Sequence, residues 1–330
     1  MKAIVYERYG PPDVLQLKEV EKPVPKDNEV LVKIHAASIN YMDWGFLRGE
    51  PLLVRLWSGL FEPKNRILGA DIAGQIEAAG ENVKEFQTGD EVFGDISGCG
   101  HGGFAEYAAV PDNLLVLKSA GISFEEAAAV PVAAITALQG IRKGQIQPGQ
   151  KVLINGASGG VGTYAVQIAK SFGTEVTAVC STTKLDMARS IGADFCIDYT
   201  KEDFTQSGQC YDLIVAANGY HSISDYKRAL TPEGTLVVTG GSMAQVFQSM
   251  FLGPLISSIG SKKVMNMGVA KPNKEDLTFL KELLESGKVK PILDRCYTLN
   301  EVPDALRYFG EGHARGKVVI TVPSRRRTFS

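Results

Sequence analysis

The run Lys151-Val-Leu-Ile-Asn-Gly-Ala-Ser-Gly-Gly-Val-Gly162 leaves this chain few folds to choose from. Lys151–Asn155 is short and apolar, as a buried strand is, and the pattern from Gly162 to Phe172 is helical. Between them the glycines fall at the spacing of a strand-to-helix turn over a pyrophosphate. Gly156 allows the tight turn, Gly159 lets the backbone approach a phosphate closely, and Gly162 lets helix and strand touch. The loop of Gly156, Ala157, Ser158, Gly159, Gly160, Val161 and Gly162 then directs the amides of a helix start towards negative charge. Glycine spacing alone would fit any strand–turn–helix. Strand, spacing and helix together predict a dinucleotide loop.

Strands and helices alternate after it. Glu175–Cys180, Phe195–Ile197, Asp212–Ala216 and Thr235–Thr239 read as strands, with a helix from Lys184 to Ile191. Apolar strands alternating with helices predict a doubly wound parallel sheet. The first third differs: Glu29–Ile34, Ala70–Glu77, Gly89–Gly94 and Gly103–Ala109 are short strands punctuated by glycine, which suggests a folded-over β domain. At Ser123, followed by Glu125 and Glu126, a capped helix with an acidic first turn is expected. After Gly268 come a charged helix, Lys274–Ser286, and a last strand, Lys317–Val322.

Composition narrows the class. The 330 residues suggest two domains, and 44% hydrophobic with 22% charged residues is globular. A net charge of -2 gathers neither nucleic acid nor anionic lipid. Cys99, Cys180, Cys196, Cys210 and Cys296 are odd in number and scattered, against a disulfide framework. No apolar run approaches the ~18 residues of a membrane span, and Met1–Tyr6 enters a strand with no leader pattern, so a cytoplasmic enzyme is expected. The tail with Arg325–Arg327 reads as a frayed terminus, with a basic docking signal as the alternative.

The end of the second parallel strand chooses the cofactor. An NAD site usually has an acid there; this chain has Cys180-Ser-Thr-Thr-Lys184. The hydroxyls, Ser181 among them, and the Lys184 ammonium suit a 2′-phosphate, so NADPH is expected. Lys184 also reads as an ordinary first-turn lysine.

These residues resemble one family along nearly the whole chain. The helix Ala128-Ala-Val-Pro-Val-Ala-Ala-Ile-Thr136, the glycine loop and Ile191-Gly-Ala-Asp194 are similar to the medium-chain dehydrogenases/reductases. Ala36-Ala-Ser-Ile-Asn-Tyr-Met-Asp43 resembles the motif of quinone oxidoreductases and alkenal/one reductases, and His313-Ala-Arg-Gly-Lys317 the family's closing glycine-lysine. The resemblance implies an α/β protein: a GroES-like catalytic domain over residues 1–122, completed by 268–330, and a Rossmann NADPH domain over 123–267. It carries Thr136, Tyr199, Asn218, Gly240, Gly241 and Lys317 over as further cofactor residues, and Asn40 and Tyr41 as residues that approach the nicotinamide.

Zinc members of that superfamily have a cysteine where this chain has Asn40 and Gly-His-Glu where it has Gly69-Ala-Asp71. Cys99 and His101 alone do not close a tetrahedron, so no metal is expected. Without a Lewis acid an alkoxide lacks a stabiliser, which favours a substrate that delocalises incoming electrons, a small apolar quinone or enone. An enolate oxygen needs a donor, for which Tyr41 and Asn40 are candidates beside the ribose hydroxyl. Asp43 is expected to orient, since nothing in the sequence shows a raised pKa. The aromatic stretch from Trp44 to Phe61 could cap a substrate or join the core, and Phe247–Ile259 could form a wall or a homodimer surface. An idle NADPH-binding sensor and an enoyl-type reductase are the alternatives.

Overall fold

The computed structural model describes residues 1–259 and 261–323, so Arg325–Arg327 lie outside the described residues. The chain forms two units: residues 1–132, 271–282 and 291–330 make the first, and 133–270 with 283–290 the second.

The second unit is built on a six-stranded sheet with every ladder parallel. Its order is Phe195–Asp198, Glu175–Cys180, Lys151–Asn155, Tyr211–Ala216, Leu230–Val238, Lys263–Asn266. Counted along the chain this is 3-2-1-4-5-6, the dinucleotide-binding order, and it reverses beside Lys151–Asn155. The central strands are apolar throughout because both faces are covered: Val152, Leu153, Ile154, Leu213, Ile214 and Val215 are fully buried. The helix after the glycine loop spans Gly160–Ser171 and buries Tyr164 to Ala169. Lys263–Asn266 is a strand that sequence reading missed; it is brief, and a lysine and an asparagine flank its two apolar residues.

In the first unit, Glu29–Ser38 is the hub of a seven-stranded sheet. One edge pairs with Asp71–Ala79. The other is shared, its first half by Tyr107–Pro111 and its second by Lys317–Thr321. Val30, Val32, Ile34, Ile72, Val92, Val318 and Ile320 meet in the core beneath. The expected boundary at residue 122 moves to 132. The helix Phe124–Ala128 starts in the Ser123 capping box, and Phe124 stacks on His35 of the hub strand, centroids 4.4 Å apart. Val132 N–H then donates to Asp71 Oδ1 at 2.8 Å. The expected return at 268 is also interrupted, because Gln167 exchanges hydrogen bonds with the Lys290 backbone at 2.8 and 3.0 Å.

Candidate active site

In the first unit the hub strand ends at Ser38, and Asn40, in extended conformation, precedes the helix Tyr41–Arg48. Asp43 closes the first turn: its Oδ2 accepts Asn40 N–H at 2.8 Å and its Oδ1 accepts Gly69 N–H at 2.9 Å. Both oxygens therefore orient backbone. Asp43 is wholly buried, and burial pushes its pKa up to about 7, a shift invisible in sequence and opposite to the expectation of an unperturbed acid.

Asn40 differs from the expected oxyanion donor. Its Oδ1 accepts from Lys317 Nζ at 2.5 Å and its Nδ2 donates to Asp71 Oδ2 at 2.9 Å. An ammonium only donates and a carboxylate only accepts, so the amide orientation is dictated and both ends are committed. Lys317 differs as well. Its three donors go to Ile39 O, Asn40 Oδ1 and Asp71 Oδ2, at 3.0, 2.5 and 3.2 Å, so the ammonium ties this unit together and has no hydrogen left for a phosphate. Asp71 Oδ2 also takes the Ser38 hydroxyl at 2.7 Å. Of the three expected catalytic residues, only Tyr41 is exposed, at 68%.

Asp71 fills the acidic place of the Gly-His-Glu motif, whose histidine is replaced by Ala70, and neither Ser38 nor Asp95 stands out in the sequence. Asp95 lies opposite Asp71 in the ladder and is buried, and burial with the Asp71 charge raises it to about 6. The available signal was an acid inside an apolar strand. The cluster also tests the metal question: a lysine ammonium already stands 3.2 Å from the Asp71 carboxylate, and no group of three or more His, Cys, Asp or Glu among the described residues could hold a metal. These residues do not fit zinc. The aromatic stretch splits, Trp44 packing on the core while Trp57 and Phe61 stay exposed.

In the second unit the three glycines have different reasons. Gly156 has φ +83, and a Cβ there would lie 2.6 Å from Asn218 Cβ. A Cβ on Gly162 would lie 2.1 Å from Gly156 O. Gly159, the N-cap at φ −84, would meet nothing nearer than 3.8 Å. The fold itself demands Gly156 and Gly162; Gly159 keeps open ground above a helix start. Ala157 and Ser158 are buried, and the first-turn amides of Gly160, Val161 and Gly162 lack intrahelical acceptors, as in any helix. Asn218 N–H bonds Asn155 O at the strand ends, and Gly241, at φ +100, abuts Gly219, where a Cβ would lie 2.7 Å from the carbonyl. Gly240 N–H bonds Ala216 O at 3.2 Å, and Thr136 is buried in the helix Pro131–Lys143. The carboxyl ends thus gather the loop, Asn218, Gly240 and Gly241.

At the second strand's end, Ser181 precedes a single turn, Thr182–Lys184, with Lys184 half-buried. Tyr199 N–H bonds Cys180 O at 3.2 Å and its ring is exposed. A carboxylate stands here too: Asp198 accepts from the Thr182 hydroxyl, which with Thr200 lowers it to about 2.

A family model described as the alcohol dehydrogenase GroES-like domain matches residues 26–120, and one described as zinc-binding dehydrogenase matches 191–320. The chain is 37% identical to 2-methylene-furan-3-one reductase of Solanum lycopersicum, over 97% of this chain and 79% of that one. It is 34% identical to the chloroplast envelope quinone oxidoreductase homolog of Arabidopsis thaliana, covering 97% and 98%. The solved quinone oxidoreductase of Coxiella burnetii superposes with a TM-score of 0.87 at 29% identity, covering 98% and 99%. The chain belongs to the medium-chain dehydrogenase/reductase superfamily, in its quinone oxidoreductase-like branch. Within that family this oxidoreductase has the GroES-like unit and the Rossmann-type sheet together. Asn40, bonded to Lys317 and Asp71, stands where the resemblance places the cysteine of zinc members, and Ala70 where it places their histidine.

Proposed function

We propose that this oxidoreductase uses NADPH, without zinc, to reduce an apolar enone or quinone. The observation that carries the reading is Asn40, in the place of a zinc member's cysteine, tied at both ends of its amide to the Lys317–Asp71 pair. With Lys317 satisfying Asp71, no Lewis acid is provided for an alkoxide, and a substrate that spreads incoming charge is required. NADPH would supply hydride. The glycine loop would take its pyrophosphate, with Gly159 giving the approach. Ser181, Lys184 and Tyr199 would meet the adenosine end; Thr136, Asn218, Gly240 and Gly241 would line the ribose and nicotinamide. Tyr41 supplies the exposed hydroxyl that can donate to an enolate oxygen, while Asn40 and Asp43 hold the turn that presents it. Relatives named quinone oxidoreductase and NADPH-dependent alkenal/one oxidoreductase, at 34% identity each, support the substrate class. Location in the cytoplasm and a homodimer belong to the same proposal.

The test is NADPH and NADH oxidation against menadione, hexenal, cyclohexenone and a simple ketone. Turnover of the first three with NADPH preferred supports the reading. Binding of NADPH with no turnover of any acceptor would favour the idle binding protein, and reduction of the ketone alone would sink the zinc-free argument.

A further inference from the structure

Among the described residues, one buried side-chain nitrogen or oxygen has no hydrogen-bond partner: Nδ1 of His101. The contrast is local, since all three Lys317 donors in the same unit are placed. A desolvated ring nitrogen left unpaired is unfavourable and asks for a partner that comes and goes.

The backbone gives a second, independent sign. His101 has φ +67, left-handed, a conformation shared among the described non-glycine residues only with Gln145. Its neighbours are Gly98, Gly100, Gly102 and Gly103, each a residue that could take that conformation without strain. The strained position holds an imidazole instead. Strain kept where a cheaper residue stands beside it points to a ring that is used.

Its surroundings place the ring against the helix that begins at Tyr41. His101 meets Phe46 edge-on, centroids 5.0 Å apart, on the helix that begins at Tyr41. Its loop is bonded to the strand entrance by Ile96 N–H to Ala70 O at 2.7 Å and Gly103 N–H to Gly69 O at 2.9 Å. Gly69 N–H in turn holds Asp43. Burial lowers the His101 pKa to about 4, so the ring is neutral near pH 7 and a poor base. Cys99 is pushed up to about 11 by burial, and its thiol donates to Ile96 O, so the two do not make a nucleophilic pair.

We propose that His101 receives the substrate's carbonyl or quinone oxygen, donating from Nδ1 with the ring proton there. This rests on the reductase reading and adds a substrate-positioning residue in the unit that carries Tyr41. A neutral imidazole offers one N–H to a carbonyl and adds no charge that an apolar substrate would have to tolerate.

Two variants and one spectrum test it. Glycine takes φ +67 without strain, so His101→Gly keeps the fold; asparagine tolerates that conformation and carries an amide donor. With cyclohexenone, kcat/KM of His101→Gly should fall about tenfold or more at unchanged NADPH affinity, and His101→Asn should recover most of it. Wild-type kcat/KM in His101→Gly, or an asparagine variant as impaired as the glycine one, overturns the assignment. In parallel, cyclohexanone is titrated into the NADP⁺ complex of histidine-15N-labelled protein. The His101 Nδ1 resonance, identified by its absence in His101→Asn, should shift, and a static resonance overturns the assignment. If the wild type reduces no acceptor, the reductase reading fails and this shift still decides the site.

Discussion

Lys317 illustrates what one residue does in this fold. Its ammonium is 3% exposed against an Asp71 carboxylate that is not exposed at all, so neither charge has water as an alternative. Lys317→Met keeps length and apolarity but strands Asp71. Breaking a buried pair from one side is worth ~3–5 kcal/mol, and a loss of that order is expected. Urea unfolding at pH 7 reads it; an unchanged midpoint would show the pair to be passive. Asp43 predicts a pH effect. Its folded pKa of about 7 lies above the usual carboxylate range, so the native state keeps a proton that the unfolded state has released. Stability should therefore fall as pH rises from about 6.5 to about 8, Asp95 adding a little in the same sense. His101 and His35, both lowered, act in the opposite sense up to about pH 7.5, so the Asp43 contribution is read as wild type minus Asp43→Asn. A difference that rises with pH over that window would contradict the burial of Asp43. For Tyr41, removal of the hydroxyl in Tyr41→Phe should lower enone kcat by up to ~2.7–4 kcal/mol of transition-state energy with little change in KM, less for a quinone. Equal rates on enones would discharge the hydroxyl from the role. Tyr41 can be proposed from sequence because its motif is contiguous. Its supports cannot, since Asp71 and Lys317 lie 246 residues apart and no local pattern pairs them.

The glycine loop shows the element scale, where a motif of one residue type separates into positions the fold requires and one it leaves open. Gly162→Ala would force a Cβ to within 2.1 Å of Gly156 O, so the loop must shift, with loss of both stability and NADPH binding. Gly159→Ala meets nothing nearer than 3.8 Å at an ordinary φ, so the apo protein should unfold normally. NADPH affinity should nonetheless fall about tenfold or more, ~1.4 kcal/mol per tenfold, as the methyl enters the pyrophosphate's approach. Calorimetric unfolding and a fluorescence titration on the two variants separate these outcomes; equal destabilisation of both would remove the distinction. The loop and its sheet were readable because each strand and the following helix are consecutive. The cap marks Phe124–Ala128 as a helix, yet its allegiance is not legible locally, because contacts with distant strands, such as Phe124 on His35, say which unit it joins. The Lys263–Asn266 strand escaped because its register comes from Leu230–Val238 beside it, not from its own composition.

For the whole molecule, one family description names zinc, while the proposed zinc-free chemistry rests on Asn40, Ala70 and the Lys317–Asp71 pair. Purified protein should hold far less than one zinc per chain, and dialysis against a chelator should leave both NADPH oxidation and unfolding unchanged. Stoichiometric zinc lost together with activity would require another donor set than Asn40, Ala70 and Asp71. The route of the chain also has a temporal side. The hub strand Glu29–Ser38 waits for Lys317–Thr321 to close half of one edge, and Asp71 waits for Lys317 across the same gap. At ribosomal rates of roughly 5–20 residues per second, those 246 residues take on the order of 12–50 seconds to emerge. Meanwhile residues 133–270 bring out all six strands of their sheet consecutively and can mature on the nascent chain. The segment translated first is thus locked last, holding an open strand edge and an uncompensated carboxylate in reach of chaperones and of neighbouring nascent chains.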